Sequence, residues 1–281
     1  MGHGHTYEAK IPEADGRIRY TPEEDATWKL LFERQLEILP VRACQEYLDA
    51  LAAVGLPADR IPQCQDLTER LRGFTGVTIT PVPALISNER FFELLAHGSF
   101  PCATFIRTRD ELEYLEEPDV FHEVFGHVPL LSDPRFANFT RAYGRAGLSC
   151  RTPAEQDVLA RLYWFTIEFG LIRTPSGIRT YGAGVISSIG ETVYATESPI
   201  PVRRPFDALT ALRTPYRIDV FQSQYFVLES FDELFRVAQS DIIGLVRKAQ
   251  SLGDLSTPEP SAPAAAADPS LLPERRHERT Q

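Results

Sequence analysis

The chain has few cysteines and no arrangement that would pair them: Cys44, Cys64, Cys102 and Cys150 lie far apart, without a C-x-x-C pair. A disulfide-stapled framework is therefore excluded, and reduced thiols in a cytoplasm are the expectation. Positive charge is also short, with 29 Lys and Arg against 39 Asp and Glu and a net charge of −10. Such a surface repels phosphate backbones, so nucleic acid is not an expected partner. The strongest apolar stretch, 159–169, is broken by Arg161 and Glu168, well short of the ~20 residues a membrane span needs. The start of the chain has none of the charged, apolar and small-residue regions of a signal sequence, and no internal repeat is visible. What is present is globular in character: 281 residues, 43% hydrophobic, 24% charged and 10% aromatic, enough for one large domain or two small ones.

Helix signals dominate the pass along the chain. Residues 1–19 carry Gly2, Gly4, Pro12 and Gly16 without an apolar period and read as a flexible or draped arm; His3 and His5 within it could bind stray metal. Thr21-Pro22-Glu23-Glu24 is a capping box with proline at the first helical position. The helix that follows is expected to bury Trp28, Leu31, Leu36 and Leu39, and after Pro40 a second helix carries Cys44, Leu48, Leu51 and Val54 to Gly55. Residues 77–82 and 100–106 read as strands, with a helix containing Phe91, Phe92, Leu94 and Leu95 between them, closed by Gly98. Helices are expected over 133–150 and 152–171, the second opened by a capping box at Thr152, then a strand over 218–227 and one helix from Phe231 to about Leu252. Residues 253–281, rich in proline and alanine, read as a disordered tail. The fold class is mainly α with a few short β-strands, one catalytic domain over 20–252.

The chemistry is concentrated in Pro118-Asp119-Val120-Phe121-His122-Glu123-Val124-Phe125-Gly126-His127-Val128-Pro129. A zinc-protease helix spaces its histidines four apart; here they are five apart, which on a straight α-helix separates the rings by about 140°. Both can face one ion only if the helix ends or bends between them, for which Gly126 and Pro129 provide. Otherwise they are two core histidines on an amphipathic helix. Glu168 stands in the aromatic run Tyr163-Trp164-Phe165-Thr166-Ile167-Glu168-Phe169-Gly170, where burial would cost an ionised carboxylate several kcal/mol unless a cation answers it. Either an arginine or a metal must do so. Two imidazoles and a carboxylate leave open positions on a ferrous ion, as in oxygen-activating sites. A third cluster, Tyr181-Gly182-Ala183-Gly184-Val185-Ile186-Ser187-Ser188, serves either a tight turn into a helix or close backbone approach to a ligand.

Taken together, these three motifs resemble the pterin-dependent aromatic amino acid hydroxylases, over roughly 20–249. The resemblance is to the bacterial phenylalanine 4-hydroxylase type, and it implies a helical basket around a non-haem iron, without the regulatory domain and tetramerisation helix of the animal enzymes. It implies His122, His127 and Glu168 as Fe(II) ligands. It further implies Arg107, oriented by Asp119, and Ser187 on the substrate carboxylate, with Pro118 and Trp164 walling the substrate ring. Phe91 would stack on the tetrahydropterin, the backbone of Leu85 and Ile86 would bond its edge, and Glu123 would contact it through water. Tyr163 and Glu191 would line the catalytic site without an assigned role. Two positions depart from the animal pattern: Leu115-Glu116 replaces a threonine and proline, and Asn88 replaces a serine near the pterin edge.

The implied reaction is a monooxygenation in which L-phenylalanine, O2 and a tetrahydropterin give L-tyrosine, in phenylalanine catabolism or tyrosine supply, by a monomeric cytoplasmic oxidoreductase. Trp164 and the apolar Ile218 fit phenylalanine; the same chemistry on tryptophan or tyrosine is the alternative. A zinc hydrolase and a non-catalytic metal or aromatic-ligand binding protein are the alternatives of other classes.

Overall fold

Local signals set the first helix. In the computed structural model, which describes residues 9–258 other than 84, 113, 114 and 116, α1 (Pro22–Ile38) begins at Thr21, whose hydroxyl accepts from the Glu24 amide while Glu24 caps the Thr21 amide at 2.6 Å. Trp28, Leu31 and Leu39 are buried as the apolar spacing requires. Leu36 is not: it is 42% exposed, and the inward position falls to Gln35, whose amide donates to the Ile186 carbonyl. An α-helical stripe drifts with the 3.6-residue period, and at this point it turns to a polar contact. α2 (Gln45–Val54) ends on Gly55 in the left-handed conformation, φ 64°.

α3 (Cys64–Arg72) leads to β1 (Thr78–Val82), α4 (Asn88–Ala96) and β2 (Ser99–Ala103), with β1 and β2 a parallel pair. Residues 120–131 are one helical stretch whose middle, His122–His127, is wound as a π turn before the α turn α5 (Val128–Leu131). α6 (Pro134–Leu148) and α7 (Pro153–Tyr163) follow, and α7 runs into a second π turn, Trp164–Glu168. The expected helix to residue 171 therefore changes winding at Trp164, and Leu171 already belongs to a strand. At Thr152 only half of the expected capping box forms: its hydroxyl accepts from the Glu155 amide, but Glu155 turns to the Arg151 amide and to Arg247.

β3 (Leu171–Thr174) and β4 (Gly177–Thr180) form a hairpin that brings the chain straight back to the second π turn as α8 (Ala183–Ile186) and α9 (Ile189–Glu197). β5 (Val202–Pro205), α10 (Ala208–Leu212) and β6 (Gln224–Leu228) complete a sheet of order β4-β3-β6-β5. The strand expected over 218–227 begins only at Gln224, because Arg217 and Asp219 pair across an exposed turn. The last helix is two, α11 (Asp232–Ala238) and α12 (Ile242–Leu252), since Asp241 caps a new helix through the Gly244 amide. The fold is mainly α with short strands, as its sequence implies.

Residues 9–19 are draped on the body: the Lys10 amide donates to Thr104 and its ammonium pairs with Glu24, while Ile18 is buried and clasped by Gln63. Of the expected tail, Asp254 pairs with Arg161 and the Leu255 amide bonds Arg213. His3 and His5, Glu116 and residues 259–281 lie outside the described residues. Removing the Thr21 cap by Thr21→Ala should cost about 1 kcal/mol, a fall of roughly 2–4 °C in Tm, with iron content unchanged. Calorimetry with metal analysis checks both.

Candidate metal centre

The five-residue spacing of the histidines is explained by the winding that carries them. A π turn closes i→i+5 rather than i→i−4, so residues five apart lie one above the other, and no bend or helix end at Gly126 is needed. The two rings meet edge to face at 4.9 Å, with their Nε2 atoms 3.1 Å apart. The second π turn brings Glu168 to the same point, its carboxylate 3.1 Å from His127 Nε2 and 3.5 Å from His122 Nε2. Ligands each about 2.1 Å from one ion are expected at such mutual separations.

The outer face of the first π turn is braced by aromatic packing. Phe121 stacks on Phe125 at 4.8 Å, Trp28 meets Phe121 edge-on at 5.3 Å and Phe32 meets Phe125 at 5.2 Å. Tyr47 donates to the Phe125 carbonyl at 2.6 Å, serving a backbone group of the widened turn. Glycines press the remaining side together. A Cβ at Gly126 would lie 2.9 Å from that of Ala183, and one at Gly182 would lie 2.4 Å from the Glu168 carbonyl oxygen. The Tyr-Gly-Ala-Gly cluster thus allows close approach of protein to protein, seating α8 against both π turns.

Electrostatics suits metal ligation. Burial pushes His122 down to about 4, against the upward pull of the Glu168 carboxylate, so its imidazole is neutral near pH 7. With Nε2 turned to the centre, Nδ1 carries the proton and donates to Ser187 Oγ at 2.9 Å, which fixes ring and tautomer. Burial would raise Glu168, but His127, which hydrogen-bonds to it, and the Gly184 amide outweigh that and hold the carboxyl below its usual range. Glu123 also stands near, with its carboxylate 3.9 Å from His127, and with the two histidines it forms a compact donor group. Burial and the Glu168 and Asp119 charges push it well upward, and it stands farther from His127 than Glu168 does. The set of two imidazoles and Glu168 fits a ferrous ion with open positions.

Asp119 joins this centre to an arginine. Its carboxylate takes Arg107 Nε and Nη2, each at 2.9 Å, and also accepts from the His122 amide at 3.0 Å, capping the ligand helix. Asp119 is fully buried and Arg107 nearly so, and although burial alone would raise Asp119, the guanidinium keeps it ionised. The centre opens on a cleft of about 600 Å³, lined among others by Arg107, Pro118, Trp164, Ser187 and Glu191, and by Leu85, Phe91 and Tyr163. Ile86, Glu123 and Asp119 do not line it. Ile86 is half-buried beside the rim, Glu123 leans to His127, and Asp119 sits behind Arg107.

Sequence reasoning missed how Trp164 is held: Tyr216 stacks on it at 4.2 Å and 14°, and its indole donates to Gln222 Oε1 at 3.0 Å. Both partners lie on an irregular loop that no spacing marks. Glu168→Gln should cut iron retained after loading and desalting to near zero, whereas Glu123→Gln should keep most of it, both read by metal analysis. The opposite outcome would make Glu123 the ligand.

Comparison with known proteins agrees with this geometry. The family model described as biopterin-dependent aromatic amino acid hydroxylase matches residues 4–245. The phenylalanine-4-hydroxylase of Pseudomonas aeruginosa is 51% identical over 247 residues, covering 88% of this chain and 94% of that protein. The apo structure of the cold active phenylalanine hydroxylase from Colwellia psychrerythraea is 49% identical and superposes with a TM-score of 0.86 over 89% of this chain and 97% of that one. That of Chromobacterium violaceum with bound oxidised Fe(III) is 42% identical, with a TM-score of 0.83 over 92% and 94%. A helix widened so that histidines five apart meet, faced by a glutamate from a second such turn, accordingly stands at the centre of a member of the biopterin-dependent aromatic amino acid hydroxylase family, to which this chain belongs.

Proposed function

We propose that this protein is a phenylalanine 4-monooxygenase that inserts one atom of O2 into L-phenylalanine to give L-tyrosine, with Fe(II) and a tetrahydropterin as cofactors. The observation that carries the reading is the convergence of His122, His127 and Glu168, of which His122 and Glu168 line a cleft that also holds Arg107 while His127 is buried behind them. The relatives named above are phenylalanine hydroxylases over nearly their whole length. With Fe(II) and a reduced pterin bound, the site would have a metal and a two-electron reductant for O2, chemistry that no side chain supplies.

The chain's own residues bind and orient. An aromatic C–H is not acidic, so no general base is called for; the need is for a ring held still in a dry place. Arg107, aligned by Asp119, offers a guanidinium fork suited to the amino acid carboxylate. Ser187 accepts from His122 and keeps its own hydroxyl proton for the same carboxylate. Pro118 and Trp164 wall the ring, with Trp164 set by Tyr216 and Gln222. At the other end of the cleft, Leu85, Asn88, Phe91 and Gln156 combine an aromatic face with amide groups, a set suited to a flat heterocycle with polar edges, here the pterin. Glu123 reaches that heterocycle only through water, since it stands off the cleft. Tyr163 lies edge-on to Phe91 at 5.9 Å, closing the space between pterin and metal.

Ile218, apolar at the rim, favours phenylalanine over a hydroxylated ring. Catalysis belongs to 20–252, and the protein works as a monomer in the cytoplasm, a setting consistent with its four unpaired thiols. The test supplies iron-loaded protein with a tetrahydropterin and each of phenylalanine, tyrosine and tryptophan, following O2 uptake and product mass. Phenylalanine should give tyrosine with one O2 consumed per product. Turnover with Zn2+ independent of O2 would indicate a hydrolase, and metal binding without O2 uptake a binding protein. Arg107→Lys keeps the charge opposite Asp119 but loses the fork; KM for phenylalanine should rise about tenfold with iron content unchanged.

A further inference from the structure

Among the described residues, Glu191 is a buried carboxylate that faces the cleft with no cation beside it. Asp119 has Arg107 at 2.9 Å, Glu155 has Arg247 at 3.0 Å, and Glu168 has two imidazoles. Glu191, only 5% exposed, lies in the first turn of α9, whose N-cap is Ser188, and lines the same cleft as Arg107 and Ser187. Its Oε1 accepts from the Gln222 amide at 3.2 Å and from the Tyr225 hydroxyl. Among the described residues no hydrogen bond reaches its Oε2, and no lysine, arginine or histidine pairs with it. A carboxylate taken out of water without a cation is unfavourable unless the cation arrives with a ligand.

Within the reading of the protein as an amino acid hydroxylase, we propose that Glu191 binds the substrate through its α-ammonium group. An α-amino acid bears its carboxylate and ammonium on one carbon, so a cleft that offers a guanidinium to the first should offer a carboxylate to the second. Glu191 supplies that charge, while its other oxygen anchors Tyr225 and Gln222, the latter of which holds Trp164. Burial, opposed by the bonds from Tyr225 and Gln222, pushes its carboxyl up to about 7, and an arriving ammonium would favour the ionised form.

The test separates charge from bracing. Glu191→Gln keeps a carbonyl oxygen able to accept from both the Gln222 amide and Tyr225, but removes the charge. Calorimetric Kd values are measured on the iron-loaded full chain for L-phenylalanine and for 3-phenylpropanoate, which lacks the ammonium. The variant should bind L-phenylalanine about 10- to 100-fold more weakly and 3-phenylpropanoate within twofold of the unaltered protein. Tyr225→Phe, which removes one brace and keeps the charge, should retain the preference for L-phenylalanine. Equal weakening of both ligands by Glu191→Gln would make the residue a brace only, and unchanged binding of both would remove it from recognition; either overturns the proposal. Product formation by the unaltered chain is read in the same preparation. Absence of tyrosine there overturns the hydroxylase reading and this proposal together, whereas normal turnover with an unshifted L-phenylalanine Kd in the variant overturns this proposal alone.

Discussion

Two helical turns wound wider than the α-helix govern the site. Histidines five residues apart diverge on an α-helix and coincide on a π turn, so the sequence spacing and the backbone winding are one constraint seen twice. Such winding sacrifices good backbone geometry and must be held from outside. Here the holding comes from the face opposite the ligands: Phe121 and Phe125 locked between Trp28 and Phe32, and Tyr47 on the Phe125 carbonyl. On the inner side, the absence of side chains at Gly126 and Gly182 lets α8 press against both turns. A fully buried core residue such as Trp28, some way from the cleft, is thereby part of the metal geometry.

The second organising idea is the balance of buried charge. Asp119 serves three groups at once, the Arg107 fork, the Arg107 amide and the His122 amide, so the residue proposed to grip the substrate and the first metal ligand share one rigid support. Breaking it would leave an uncompensated charge in a dry interior, an effect of roughly 3–5 kcal/mol. Glu168 is held below the usual carboxylate range, against its burial, by His127 and the Gly184 amide, whereas Glu123, close by, is pushed well upward by burial and by the neighbouring carboxylates. Two glutamates within reach of one histidine are thus shifted in opposite directions by their surroundings.

Much of this was legible in the chain itself, for identifiable reasons. The Thr21 box and the stop at Gly55 follow from contacts within a few residues, which sequence records directly, whereas strands β3, β4 and β5 depend on their neighbours in the sheet and were not legible. The convergence of His122, His127 and Glu168 was legible because buried carboxylates and clustered histidines are chemically costly and therefore conspicuous. The π winding was not: a five-residue spacing showed that a straight helix fails, but a bend, a helix end and a wider turn all cure it, and the choice rests on packing by Trp28 and Phe32, more than eighty residues away from His122. Leu36 and Gln35 exchanged places for a similar reason, since the Ile186 carbonyl that Gln35 serves lies far along the chain. Tyr216 and Gln222, which set Trp164, sit on a loop without periodicity, and the hairpin that returns Ser187 to the centre is visible only in three dimensions.

The central claim is that one ion is held by two imidazoles and one carboxylate with its remaining positions turned to the cleft. Anomalous diffraction at the iron edge from crystals of the iron-loaded protein tests this most directly. The account predicts a single peak per chain, about 2.0–2.2 Å from His122 Nε2, His127 Nε2 and a Glu168 carboxylate oxygen. A peak coordinated by Glu123 in place of Glu168, or iron bound away from the two histidines, would contradict it.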